Sequence, residues 1–245
     1  MGVAEDGAVV LLAMAFSGNT RTSVFGWRSD DCGRTWDRAD ASSLADNRTG
    51  SVYGRIFPVP RSGLAVFGHY RKPKGDGIWV AYSKDHGKTW GEPKTITTKR
   101  LFEPCFAFAQ GRLIGLIRKD SDCVYHQYVS DDLGKTWAPP RLVLGGDDSA
   151  GHPSPFIATD PADASRLLAL QSQRTRRGEV YLWSAGAKTL NWRRLGLVVT
   201  FPGCEDYSYP WMVHLDDNAW FLVFYAGEKN GANSIYGMRL EVPSS

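Results

Sequence analysis

Apolar residues in this chain come in short runs set off by turns rich in Gly, Pro, Asp and Ser, the pattern of many short strands. The unit that follows Gly50 is the clearest. It places strands at 55–59, 64–70, 78–83 and 93–96, inside a segment running from Val52 to about Thr98. The same order (strand, turn, strand, hairpin, strand, motif, strand) is predicted for 101–144 and for about 151–199. A fifth unit starts near Tyr207, continues through 220–226 and 234–240, and then stops. The first has strands at 9–16 and 23–28 and a short last one, preceded only by residues 1–7. The first unit thus carries at most a stub of an innermost strand, and the fifth lacks an outermost one. Both bare edges need cover, because unpaired strand edges invite association. The whole chain, 1–245, is read as a single all-β domain.

Between the third and fourth strands of a unit stands S-x-D-x-G-x-T-W. It occurs at Ser29–Trp36 (Ser29, Asp31, Gly33, Thr35, Trp36), at Ser83, Asp85, Gly87, Thr89 and Trp90, and at Ser130, Asp132, Gly134, Thr136 and Trp137. A degraded copy, Ser184-Ala185-Gly186-Ala187-Lys188-Thr189-Leu190-Asn191, precedes Trp192. The tryptophans step by 54, 47 and 55 residues, with several short strands per step, which is the spacing of a β-propeller of about five blades. Physically the motif is a hairpin turn. Ser and Asp side chains bond its backbone N–H groups, Gly supplies a positive φ, and Trp is an apolar plug against the sheet. Nothing in it resembles a poised acid, base or nucleophile, so the turns are expected to be structural and away from any site.

Composition narrows the function classes. Hydrophobic residues make up 42% and charged ones 22%, and the formal net charge of +3 is too small to argue for a nucleic-acid partner. The densest basic runs, Arg71-Lys72-Pro73-Lys74 and Arg174-Thr175-Arg176-Arg177, lie between apolar runs and read as solvated hairpin tips. The four cysteines show no C-x-x-C spacing and the five histidines no H-E-x-x-H. Free thiols are expected, with no metal and no cofactor. Residues 8–16 are apolar, but Glu5 and Asp6 precede them where a signal peptide carries Lys or Arg, so they read as a buried strand. With no membrane-length run, neither a membrane partner nor export is indicated, and a cytoplasmic location is the expectation.

Aligning the units on the turn after the innermost strand selects four positions. Arg55, Glu103, His152 and Tyr209 each stand eight residues before Gly63, Gly111, Asp160 and Asp217, and Pro follows the last three. In a radial array such equivalent positions meet at one end of the central channel. Arg118, on the next strand of the third unit, is in reach of the same pocket. Tyr has a reference pKa near 10 and is a poor nucleophile until a neighbouring base takes its proton, a role open to Glu103. Arginine's planar fork matches a carboxylate.

The S-x-D-x-G-x-T-W repeat resembles the Asp-box, or bacterial neuraminidase repeat, of the sialidase superfamily, and its copies span about Val3 to Leu240. The resemblance implies a sialidase-type propeller, usually six-bladed, with the substrate pocket at one end of its axis. Glu103-Pro104 with Gly111-Arg112-Leu113 and Arg118 is similar to the family segment bearing the Glu that activates the nucleophile and one carboxylate-binding Arg. Tyr209-Pro210-Trp211 is similar to the segment bearing the nucleophilic Tyr. Tyr209 is preferred over Tyr207 because it keeps the offset to the following turn. Sialidases with a Tyr nucleophile depart from the two-carboxylate rule of glycosidases. The implied activity is hydrolysis of sialic-acid-type or other acidic glycosides, with Tyr209 and Glu103 catalytic and Arg118, Arg55 and His152 binding substrate. The family's first Arg-Ile-Pro segment is missing, Arg55-Ile56-Phe57 is a loose echo of it, and only Asp46 and Asp40 are available as the acid/base. Two alternatives stay open: a non-catalytic propeller that binds glycan or protein, and an inactive truncated homologue. The architecture is either an N-terminally shortened six-bladed propeller or a compact five-bladed one that closes by pairing residues 1–4 with its last blade.

Overall fold

The computed structural model describes residues 1–17, 20–45, 51–70, 76–120, 122–145, 153–173, 178–201, 204, 206–216, 218–227 and 231–243. Its regular structure is nineteen strands and one 3-10 turn at Ser42–Ala45, with no α-helix among the described residues. No helix among them is long and apolar enough to cross a membrane. The strands form successive antiparallel meanders. The first is β1 (Gly2–Val3), β2 (Val9–Ser17), β3 (Thr20–Ser29) and β4 (Asp37–Ala39), and the second is β5 (Ser51–Val59), β6 (Gly63–Tyr70), β7 (Gly77–Ser83) and β8 (Lys94–Thr97). The third comprises β9 (Phe102–Ala109), β10 (Arg112–Arg118), β11 (Tyr125–Ser130) and β12 (Arg141–Val143). The fourth comprises β13 (Phe156–Asp160), β14 (Asp163–Gln173), β15 (Glu179–Gly186) and β16 (Arg193–Thr200), and the last has only β17 (Asp206–Asp216), β18 (Ala219–Gly227) and β19 (Asn233–Glu241).

The four-plus-three strand count follows the sequence pattern, but the edges meet differently from the compact alternative. Instead of joining the last meander, β1 pairs with β2 and, in parallel, with β5, where Gly2 lies opposite Ile56. A side chain at Gly2 would run into the Ile56 carbonyl oxygen, so glycine is what lets the two backbones approach. The first two meanders thereby become one eight-stranded sheet, and among the described residues the strands close into no barrel.

The core lies between successive meanders. Val10, Ile56, Leu64 and Trp79 fill the first interval, and Phe57, Phe67, Phe106 and Leu113 the second, where Phe67 and Phe106 stack at 4.0 Å. Ile114, Leu116, Ile157 and Leu167 fill the third, and Phe156, Leu170, Trp220 and Leu222 the fourth. Strands β6, β10 and most of β14 are therefore buried on both faces, which is why they read as continuous apolar runs rather than alternating ones. Strand β18, covered mainly on one face, alternates. Innermost strands neighbour one another in turn: β5 against β9, β9 against β13, β13 against β17.

The three full motifs fold alike. The serine hydroxyl accepts the glycine N–H at 2.7 Å from Gly33 and 2.8 Å from Gly87 and from Gly134. The aspartate takes both the N–H and the hydroxyl of the threonine, in Thr35, Thr89 and Thr136. The residue before each glycine is also left-handed: Cys32 (φ 60°), His86 (φ 59°) and Leu133 (φ 60°). Its carbonyl then faces the preceding meander, which hooks it. Arg28 Nε donates to the His86 carbonyl at 3.2 Å, Tyr82 Oη to Leu133 at 3.0 Å, and Arg112 Nη1 to Ala187 of the degraded copy at 2.8 Å. Trp137 packs edge-on against Phe106 of its own sheet, whereas Trp36 stays 38% exposed over its turn.

Candidate active site

Strand β9 opens with an interruption. Pro104 has no N–H for the ladder, and between Phe102 and Cys105 the register against β10 slips by one residue. Glu103 takes up the slack at φ 51°, unusual for a side chain other than Gly or Asn. Its backbone N–H is rescued by Nδ1 of the buried His69 at 3.2 Å, which fixes that nitrogen as an acceptor. Strand β17 repeats the device: Tyr209, at φ 50°, precedes Pro210, and the register against β18 slips between Ser208 and Trp211. Two bulges in equivalent places aim two side chains at each other. Tyr209 Oη donates to Glu103 Oε1 at 2.5 Å.

Glu103 is 5% exposed, and a buried carboxylate is costly unless paired. Its partner is Arg118, the last residue of β10, whose Nη1 donates to Glu103 Oε2 at 2.8 Å. Nη2 of the same guanidinium reaches the exposed Asp120 at 2.9 Å, and Nε is buried without a partner among the described residues. Burial works against the Arg118 charge, but Glu103, Tyr209 and Asp120 together hold it above its ordinary pKa. The Tyr209 phenol is pushed well up, first by burial and then by Glu103, so its proton stays on oxygen at rest. The Tyr209 ring is seated on Tyr225, 5.9 Å away and inclined by 29°, and Tyr225 Oη is tied to Asp206 at 2.8 Å. Tyr207 is 2% exposed and commits its hydroxyl to the Gln173 carbonyl.

The remaining sequence candidates fall elsewhere. Gly54 (φ 75°) presses against Pro104, where an added Cβ would sit 2.7 Å from the carbonyl oxygen, and this brings its neighbour Arg55 beside Cys105. Arg55 is partly buried, and burial lowers its pKa. No carboxylate among the described residues forms an ion pair with it. His152, Asp46 and both basic runs lie outside the described residues. Asp40 is spent at the second motif: its N–H donates to the Lys88 carbonyl at 2.8 Å and its carboxylate caps Ser42. His69, Asp120 and Tyr225 were not singled out from sequence. Asp120 alone left a signal, two residues past an arginine. No group of three or more His, Cys, Asp or Glu able to hold a metal occurs among the described residues.

The arrangement supplies a phenol, a base in hydrogen-bond contact with it and a cation behind the base, which are the parts of an activated nucleophile. A family model described as a BNR repeat-like domain matches residues 2–222. A sialidase of Paraclostridium sordellii is 24% identical over 205 residues, covering 72% of this chain and 50% of that protein. The chain thus spans about half the length of this curated relative. A solved protein of unknown function from Dyadobacter fermentans superposes with a TM-score of 0.77 at 17% identity, over 98% of this chain and 75% of that one. The NanB sialidase of Streptococcus pneumoniae, as a K499G mutant, superposes with a TM-score of 0.65 at 14% identity, over 96% of this chain and 42% of that one.

Proposed function

We propose, from the premise that this chain belongs to the BNR repeat-like domain family, that it is a sialidase-type glycoside hydrolase acting on acidic glycosides. The meanders are its blades, in one domain, and the pocket lies where the innermost strands begin. The 2.5 Å contact between Tyr209 and Glu103 carries this reading. Tyr209 Oη attacks the anomeric carbon, its proton passes to Glu103 Oε1, and the bond to the leaving oxygen breaks. Water then attacks the anomeric carbon of the tyrosyl glycoside, and Tyr209 leaves and takes its proton back from Glu103. The proton the water gives up passes to solvent, which supplies the one the departed oxygen needs. A neutral phenol suits a negatively charged substrate, because a second carboxylate would repel it. Arg55 and Nη2 of Arg118, the latter exchanging Asp120 for it, receive the substrate's carboxylate.

The test is turnover of a fluorogenic sialoside whose leaving group departs as an anion. Tyr209→Phe abolishes release while the far-UV circular dichroism and melting curve stay in place; unchanged release overturns the assignment. A second reading, binding of glycan without turnover, rests on Arg118, whose terminal nitrogens both already hold carboxylates. Glycan affinity with no hydrolysis by the unmodified protein over hours decides for it.

A further inference from the structure

The intervals between meanders differ at the motif end of the molecule. Three are hooked by arginines that are neutralised there: Arg28 by Asp6 and Asp30, Arg112 by Asp131, and Arg166, which reaches the Pro243 carbonyl, by Asp160. The interval between the second and third meanders is hooked instead by a neutral side chain, Tyr82, and a cleft of about 610 Å³ opens beside it. That volume is in the range of small-molecule and sugar sites. Its rim carries Arg61, Lys84, Lys94 and Lys135, all exposed, against the single carboxylate of Glu92. Among the described residues none of these four cations forms an ion pair.

We propose that this cleft is a second carbohydrate site, one that takes an anionic oligosaccharide. The cations meet its carboxylates or sulfates. Ser62 and Thr95 supply hydroxyls for its ring oxygens, and the Tyr82 and Leu133 side chains form an apolar floor for a sugar face. The walls are preformed. The Ser83–Asp85 and Ser130–Asp132 webs lock both motif turns, and Tyr82 Oη ties one to the other. The absence of a side chain at Gly134 leaves room for that phenol, which a Cβ would strike. A nucleic acid is the poorer fit, since it needs successive aromatic platforms and the cleft offers one ring. Glu103 and Arg118 stand at the opposite end of β9 and β10, a strand length of about 20 Å away, so a polymer can be held at one end while its terminus is presented at another molecule's pocket.

Isothermal titration with an oligogalacturonate tetramer and a chondroitin sulfate tetrasaccharide tests this, with cellotetraose as the neutral control. The unmodified protein binds one or both acidic probes, more weakly as salt rises, and does not bind cellotetraose. The triple variant Lys84→Ala, Lys94→Ala, Lys135→Ala weakens that binding at least tenfold and leaves sialoside turnover unchanged, while Glu92→Lys strengthens it. Glu103→Gln leaves the affinity as it was, which separates this cleft from the catalytic reading. Binding that survives the triple variant, equal binding of cellotetraose, absence of binding to either acidic probe, or displacement by single-stranded DNA at lower concentration than by the tetrasaccharides overturns the proposal.

Discussion

Glu103 divides its carboxylate between two partners, Tyr209 on Oε1 and Arg118 on Oε2, and single substitutions around it separate chemistry from stability. Glu103→Gln keeps one acceptor oxygen for Arg118 and turns an NH2 group toward the Tyr209 oxygen, so it no longer takes the Tyr209 proton and turnover drops by about 10²–10⁴-fold. Arg118→Ala strands a buried carboxylate and costs about 3–5 kcal/mol, visible in urea titration. Asp120 is 59% exposed and competes for Arg118, so Asp120→Asn lowers KM for an acidic glycoside and leaves a neutral one unaffected. Glu103 and Tyr209 were legible because a following proline and a fixed offset mark equivalent bulges. His69 was not: in sequence it ends an apolar run, and only folding puts Nδ1 under the Glu103 N–H. The double engagement of Arg118 was equally hidden, since spacing says which strand a guanidinium leaves from and not which carboxylates it meets.

Among the elements, the motif turns contribute a pH dependence to the fold. Thr35 and Thr136, hydroxyl first and then N–H, hold Asp31 and Asp132 down at about 2, against 3.8 in an unfolded chain. Their contribution is complete above pH 4 and is lost as pH falls toward 2. Tyr82 moves the other way: burial, then Asp132, raise it to about 12 from 10.0. The folded protein keeps that proton where the unfolded chain has released it, so the stabilisation is full below pH 10 and is lost as pH rises from 10 through about 12. Tyr82→Phe therefore lowers the melting temperature at pH 7 and flattens its alkaline decline, both readable by scanning calorimetry. Most observed strands overlap the expected ones to within a few residues, because the inner meanders bury both faces and punctuate themselves with Gly, Asp and Ser. The left-handed residue before each motif glycine escaped notice, since Cys, His and Leu share no chemistry that announces it.

Taken whole, the described residues pack four cores between five meanders, and the last one carries exposed apolar side chains. Val213 and Phe221, directly paired there, are 53% and 38% exposed, and Leu215 on the same side is 48% exposed. Contiguous apolar surface of this kind promotes association. Val213→Thr with Leu215→Thr shifts sedimentation toward the monomer at high concentration; an unchanged profile shows that this face is inert. The three strands of that meander were evident from the periodicity. The pairing of β1 with β5 was not, because a two-residue strand carries no pattern and only the bare Gly2 permits it. At the first motif, the position hooked elsewhere through His86, Leu133 and Ala187 belongs to Cys32, which is exposed, whereas Cys105 is buried. With Cys123 and Cys204 changed to Ser, a maleimide dye would land on Cys32 alone. It would sit on a stiff turn at the pole opposite Tyr209, as a fluorescent reporter that leaves the chemistry untouched.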